Sequence, residues 1–222
     1  FNGFDISLTL YTDADFEIIT DIPVNIIKVD NPIYWPGIYR YGSKCNDYYK
    51  VKGLLESKAD YAISMDSDMY VVNEEVKTLL PLTKKFGICL PENPRLQVRK
   101  DGANGADGDY HWGSEDGTGG NGMANNMSPI SLFTKSDRGR SLLEHYCKEM
   151  EEHPVRGPLA MWRASWKSAV NPYMLPFQWC VCDCGIGTGN IIGLENPIIL
   201  HVGHKKVMDH YLAKESKDKS DE

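Results

Sequence analysis

YAISMDSDMYVV, Tyr61 to Val72, joins two apolar runs through a pair of aspartates. Tyr61–Met65 has the composition of a short buried strand and delivers Asp66 and Asp68 at its carboxyl end; Met69–Val72 resumes the apolar pattern at once. Alternate side chains of a strand share a face, so the spacing predicts that Asp66 and Asp68 point the same way with Ser67 opposed. Two carboxylates a few ångström apart repel, and ionising both in a partly buried cleft is costly unless a cation sits between them. A hard divalent ion with a taste for oxygen ligands, Mn²⁺ or Mg²⁺, meets that need. A plain polar turn has the same composition, but four apolar residues directly after it favour a strand that carries a site.

Outward from this stretch, strands and helices alternate. Asp5–Thr12 and Val24–Val29 read as strands. A helix capped by Ser43 is expected to run to about Lys58, with Tyr48, Val51, Leu54 and Leu55 on one face. After the aspartate strand come a helix over Glu74–Leu80 and a short buried strand, Phe86–Leu90. Met127–Phe133 reads as a strand, and a helix capped by Ser136 or Asp137 runs to Glu152. A further helix covers Pro158–Val170, with Leu159, Trp162 and Trp166 at the spacing of a core face, and a last strand spans Pro197–Val202. The order predicts an α/β fold with a mostly parallel, twisted sheet flanked by helices. In such sheets ligands sit beyond the carboxyl ends of strands, where Asp66 and Asp68 fall.

Pro91–Asn126 interrupts the alternation. It is too rich in Gly, Asn and Asp to bury a core, and its length favours a loop over the active site. Within it, Tyr110-His111-Trp112 suits the face of a sugar ring, and Glu115 and Asp116 are candidate bases. The end of the first strand, Tyr11-Thr12-Asp13, is a polar, aromatic tip placed for a ligand.

The totals narrow the function. The 222 residues carry a formal charge of −7, which argues against nucleic acid, because phosphate binding needs clustered Lys and Arg. No apolar run approaches the roughly 20 residues of a membrane span, and no signal peptide is visible, so the expected location is cytoplasmic. The sequence begins at Phe1, and a signal or anchor further upstream would not be seen in it. The six cysteines are expected to be reduced; Cys180, Cys182 and Cys184 alternate, but their spacing is not that of a zinc site.

Close to the carboxyl end stands His201-Val202-Gly203-His204-Lys205-Lys206. An imidazole is a good third ligand for an ion such as Mn²⁺ already held by two carboxylates. Glycine allows close approach of the backbone, and the lysines offer point charges to a diphosphate.

Together these features resemble the metal-dependent GT-A glycosyltransferases of the glycogenin and lipopolysaccharide galactosyltransferase type. The Asp-x-Asp motif of that family is matched by Asp66-Ser67-Asp68. Its helical basic residue is matched by Lys50 or Lys52, and its Asn-x-Gly pattern loosely by Asn125-Asn126. The Leu-Pro-x-x-Trp signature appears as Leu175, Pro176 and Trp179. The closing His-x-x-Gly-x-x-Lys motif appears as a shorter variant with His201, Gly203 and Lys205 or Lys206. The resemblance implies a GT-A-like, Rossmann-like nucleotide-sugar-binding domain over residues 1–206, and the charged composition of residues 207–222 predicts a tail without fixed structure. The family has a strand and helix ahead of the strand assigned here to Asp5–Thr12, and these supply part of the nucleobase pocket; the base specificity is therefore open.

The resemblance also implies transfer of a sugar from a nucleoside-diphosphate sugar, chiefly a UDP-sugar, to a hydroxyl of a carbohydrate acceptor. Asp66, Asp68 and His201 (or His204) would hold Mn²⁺ or Mg²⁺. Tyr11, Thr12, Asp13, Lys50, Ser67, Asn126, Gly203, Lys205 and Lys206 would meet the donor. Trp112 and Trp162 would meet the acceptor, and Glu115, Asp116 or Asp183 would serve as base in an inverting reaction. A haloacid-dehalogenase-like phosphatase with Asp66 as nucleophile, and a non-catalytic sugar-binding domain, are the rival readings. The first is disfavoured because its motif normally lies on the first strand.

Overall fold

The computed structural model describes residues 6–15, 17, 19, 23–29, 33, 41–92, 127–154, 157–182, 194–203 and 205–212. Trp112, Glu115, Asp116 and Asn126 lie outside the described residues, as do Asp183, Cys184 and His204.

Strands β1 (Leu8–Thr12) and β2 (Val24–Lys28) pair in parallel. Helix α1 (Tyr41–Glu56) leads to β3 (Tyr61–Ser64), a turn, and β4 (Met69–Val71). A 3-10 turn, Glu74–Thr78, feeds α2 (Leu79–Phe86), and β5 (Ile88–Pro91) follows. Next among the described residues come β6 (Ile130–Phe133), α3 (Asp137–Glu152), α4 (Gly157–Ser168) and β7 (Tyr173–Leu175). A 3-10 turn at Phe177–Trp179 precedes β8 (Ile199–His201), and the described chain closes with α5 (Lys205–Val207) and a π-helical turn, Met208–Leu212.

The α/β class with flanking helices is as the sequence implies, but the pairing is mixed where a mostly parallel sheet was expected. The central sheet has the order β3-β6-β5-β7, with β6 antiparallel to both β3 and β5 and only β5–β7 parallel. The right-handed crossover that makes neighbours parallel joins consecutive strands through one helix. β6 instead enters after the long segment between β5 and β6, and it runs the opposite way between two strands already placed.

Both faces of this sheet are covered, and the period of two sorts its side chains. Ala62, Ile88, Leu90, Ile130 and Leu132 face Val51 and Leu54 of α1, Leu142, Leu143 and Tyr146 of α3, and Met161 of α4. Ile63, Cys89 and Leu175 face the other way, toward Val76, Leu79, Trp179 and Ile199. Burying each large apolar side chain contributes about 1.5–3 kcal/mol. The expected face of α1 is confirmed: Tyr48, Val51 and Leu54 are buried, and Leu55 packs at their margin.

Local signals set most boundaries. Asn73 caps the first 3-10 turn, its side chain accepting from the Glu75 N–H at 2.9 Å. Ser136, the first of the two expected caps, accepts from the Gly139 N–H at 3.1 Å. Gly87 stops α2 at φ +85°, and β5 therefore starts at Ile88 where Phe86 was expected. Ser43 lies inside α1, which begins at Tyr41.

Two expectations are corrected here. In α4 the core face is Leu159, Ala160, Met161 and Ala164, whose small members let the helix lie close against α3. Trp162 is therefore half-buried and Trp166 is 75 % exposed. The folded chain also continues past residue 206: Val207 is fully buried against Val181 and Leu200, with Tyr211 at the edge of that cluster. Residues 213–222 lie outside the described residues.

Candidate metal centre

The centre is made where β3 ends. The strand stops at Ser64, and Asp66-Ser67-Asp68 forms a turn closed by the Met69 N–H donating to the Asp66 carbonyl at 3.2 Å. The expectation that strand alternation aligns the aspartates is thus replaced by a turn, the structure that Asp and Ser favour. The turn is fixed from outside. Its Asp66 N–H donates to Ser128 Oγ at 2.8 Å, and the same hydroxyl lies 3.1 Å from Met69 Sδ.

After the turn, β4 leaves the central sheet and pairs antiparallel with β8, which sets Met69 opposite His201. The Val202 N–H donates to the Asp68 carbonyl at 2.9 Å. On its other side β8 is held by the segment after β7: the His201 N–H donates to the Val181 carbonyl at 2.9 Å, and the Val181 N–H to the Ile199 carbonyl at 3.0 Å. Leu175 and Trp179 are buried beneath that segment, so two residues of the Leu-Pro-x-x-Trp pattern act as the footing of the histidine strand.

These pairings bring three ligand groups together. His201 Nε2 lies 3.1 Å from Asp68 Oδ1 and 3.8 Å from Asp66 Oδ2. One ligand atom from each of Asp66, Asp68 and His201 falls within 4.8 Å of the others, the only such group among the described residues. Two ligands at right angles about an ion ~2.1 Å from each stand about 3 Å apart, so this spacing suits a small divalent cation. Two carboxylates and an imidazole are the donor set of a Mn²⁺-type ion; Mg²⁺ leans more strongly to oxygen. Gly203 completes the cradle, since a Cβ there would fall 1.8 Å from Asp68 Oδ2.

A cation of the protein's own stands beside them. Lys50 on α1 is ion-paired with Asp66 Oδ1 and lies 3.6 Å from Asp47 Oδ1. Burial opposes its charge, but Asp47 and Asp66 outweigh that, so the ammonium is held above its ordinary pKa. Of the two lysines expected on this helix, Lys50 faces the centre, whereas Lys52 pairs at 4.0 Å with Glu56.

The other expected residues make contacts of their own. Tyr11 packs on Gly53, and its hydroxyl donates to Glu56 Oε2 at 2.8 Å; burial and that carboxylate push its pKa up to about 12. Thr12 Oγ1 accepts from the Ala14 N–H, and Asp13 is exposed. Ser67 is exposed on the turn. Lys205 is exposed and pairs with Asp209 at 2.7 Å, with Lys206 beside it at the start of α5. Cys45, Cys89, Cys147, Cys180 and Cys182 are thiols.

Sequence reasoning missed Asp47 and Ser128. Asp47 was legible in principle, one helical turn before Lys50 on the same face. Ser128 was not, because nothing local marks a residue 62 positions from the backbone N–H it receives.

No family model matches the chain, and no curated protein matches it in sequence. Among solved structures it is similar to mouse xyloside xylosyltransferase 1 in its apo form, with 12 % identity and a TM-score of 0.49. The match covers 80 % of this chain and 74 % of that one.

Proposed function

We propose that this chain is a metal-dependent glycosyltransferase that moves a sugar from a nucleoside-diphosphate sugar to a hydroxyl of a carbohydrate acceptor. The observation that carries the reading is the convergence of Asp66, Asp68 and His201, with Gly203 closed over Asp68. When bound, a divalent ion supplies Lewis-acid stabilisation to the oxygens of a leaving diphosphate.

The chain's own residues do the rest. Asp66 and Asp68 would provide the charge that holds the ion, with His201 as a third ligand from the facing strand. Lys50 places an ammonium at the rim of the centre, and Lys205 and Lys206 add positive charge at the start of α5, where a diphosphate would lie. Tyr11, Thr12 and Asp13 are assigned to the donor, with uridine favoured by the resemblance noted above. Trp112 and Trp162 are assigned to the acceptor. A retaining enzyme needs little beyond this positioning; an inverting one would use Glu115, Asp116 or Asp183 as base. The single catalytic domain and the cytoplasmic location belong to the same reading. Among the described residues, no helix is long and apolar enough to cross a membrane.

Calorimetry with UDP tests this directly. Binding is expected in Mn²⁺ and lost in EDTA or in Asp68→Ala. In a thermal-shift screen, a cognate nucleotide sugar at ~100 times its Kd adds about 2.7 kcal/mol. That is a rise of about 5–10 °C for a domain of this size. Equal UDP affinity with and without metal would overturn the reading. Hydrolysis of p-nitrophenyl phosphate with no response to nucleotide sugars would replace it with the phosphatase.

A further inference from the structure

Asp47 is not one of the three ligand groups, yet it is buried, and its contacts are specific. It lies on α1 one turn before Lys50, 8 % exposed, with Oδ1 3.6 Å from the Lys50 ammonium. Its other oxygen rests against the first residue of α4: a Cβ on Gly157 would fall 2.6 Å from Oδ2 and 2.8 Å from Met127 Cγ. The N-terminal end of a helix favours a negative charge, so the carboxylate is fixed from behind as it faces Lys50. Lys50 in turn touches Asp66 through Oδ1, while Asp66 Oδ2 is the oxygen that faces His201. The two oxygens of Asp66 are therefore divided between an internal ammonium and the ligand cluster.

That division raises an electrostatic difficulty. A fixed ammonium on a ligand carboxylate cancels part of the charge that would hold a divalent cation, and it repels the cation directly. Asp66, Asp68 and Lys50 alone carry a net charge of one negative unit, whereas with Asp47 they carry two.

We propose that Asp47 is a positioning residue that acts through Lys50: it neutralises the ammonium and holds it at the rim, so that Asp66 and Asp68 present two full negative charges to a divalent cation. This rests on the reading of Asp66, Asp68 and His201 as a metal centre. Asp47 does not itself touch the ion. The design lets the protein keep a lysine beside the donor site without weakening the cation site next to it.

The test is a double-mutant cycle read as Mn²⁺ affinity, by titration calorimetry or the free-ion electron paramagnetic resonance signal, on the full chain without nucleotide. Asp47→Asn is nearly isosteric and is expected to weaken Mn²⁺ binding about tenfold. Lys50→Met is expected to tighten it. The combination Asp47→Asn with Lys50→Met restores the two negative charges and is expected to return the affinity to within a few-fold of wild type. A double variant as weak as Asp47→Asn alone, or an Asp47→Asn protein with unchanged affinity, overturns the proposal. Should Asp47→Asn fail to fold, as circular dichroism would show, Lys50→Met decides alone: unchanged or weaker binding overturns it. Absence of Mn²⁺ binding in the wild type, or undiminished binding in Asp68→Ala, marks the failure of the metal-centre reading itself, and the proposal falls with it.

Discussion

Gly203 lies directly over the carboxylate of Asp68, so near that a methyl group on it would overlap Oδ2 at 1.8 Å. The atom in the way is the end of a flexible, half-exposed side chain, so the protein can give way by swinging Asp68 aside. Gly203→Ala is therefore expected to leave stability within about 0.5 kcal/mol. It should cost the Mn²⁺ site at least about tenfold in affinity, since a displaced ligand is a lost ligand. Parallel urea and metal titrations separate the two effects; a large loss of stability with intact metal binding would refute this account.

Ser128 joins the Asp66 backbone to the start of β6. In Ser128→Ala the partly buried Asp66 N–H loses its acceptor, a loss of about 1–2 kcal/mol. The turn loosens as well, so Mn²⁺ affinity should fall several-fold. Equilibrium unfolding and a metal titration measure both quantities; wild-type values in each would show that the hydroxyl does not hold the turn.

Glu149 provides the contrasting case, a buried carboxylate with no part in the centre. It is 2 % exposed on α3 and pairs with Arg163 at 3.3 Å and with Lys167, both on α4. Removing one partner of a buried pair costs roughly 3–5 kcal/mol, but Lys167 is half-exposed and screened, so about 2 kcal/mol is expected for Glu149→Ala. Metal affinity should stay within twofold. A change in Mn²⁺ binding with unchanged stability would contradict the assignment.

Alkaline pH should weaken the fold. Burial pushes the Cys89 thiol up to about 11 from an ordinary 9.0, and burial, with Glu151 next in weight, pushes Cys147 up to about 12. Both folded-state values lie above the unfolded one. Their contribution is thus intact below the unfolded pKa and is lost as pH rises through the window up to about 11–12. Urea midpoints should fall between about pH 8 and 10.5, less so in Cys147→Ala. A flat profile would count against buried, neutral thiols.

Much of this protein is legible one segment at a time. The apolar face of α1 and the cap at Ser136 each follow from a few adjacent residues, because helical periods and capping are local physics. The pairing of Asp66 with Asp68, and the ligand chemistry of His201, were likewise apparent from residue types. Trp112, Glu115 and Asp116, with Asn126 and Asp183, fall outside the described residues.

Other features depend on segments far apart in the chain. The sequence offers Asp66, Asp68 and either His201 or His204 as candidate ligands, but only the β4–β8 pairing puts His201 Nε2 3.1 Å from Asp68. It names two lysines on α1, yet only the packing of α1 on β3 shows that Lys50 reaches Asp66. It suggests a mostly parallel sheet, while β6 runs antiparallel between β3 and β5. The division has a single physical cause. Residue type and period act over one or two turns of chain, whereas strand register, the anchoring of Asp66 by Ser128 and the sharing of Lys50 between two carboxylates arise only when the core closes and distant segments must bury their faces together.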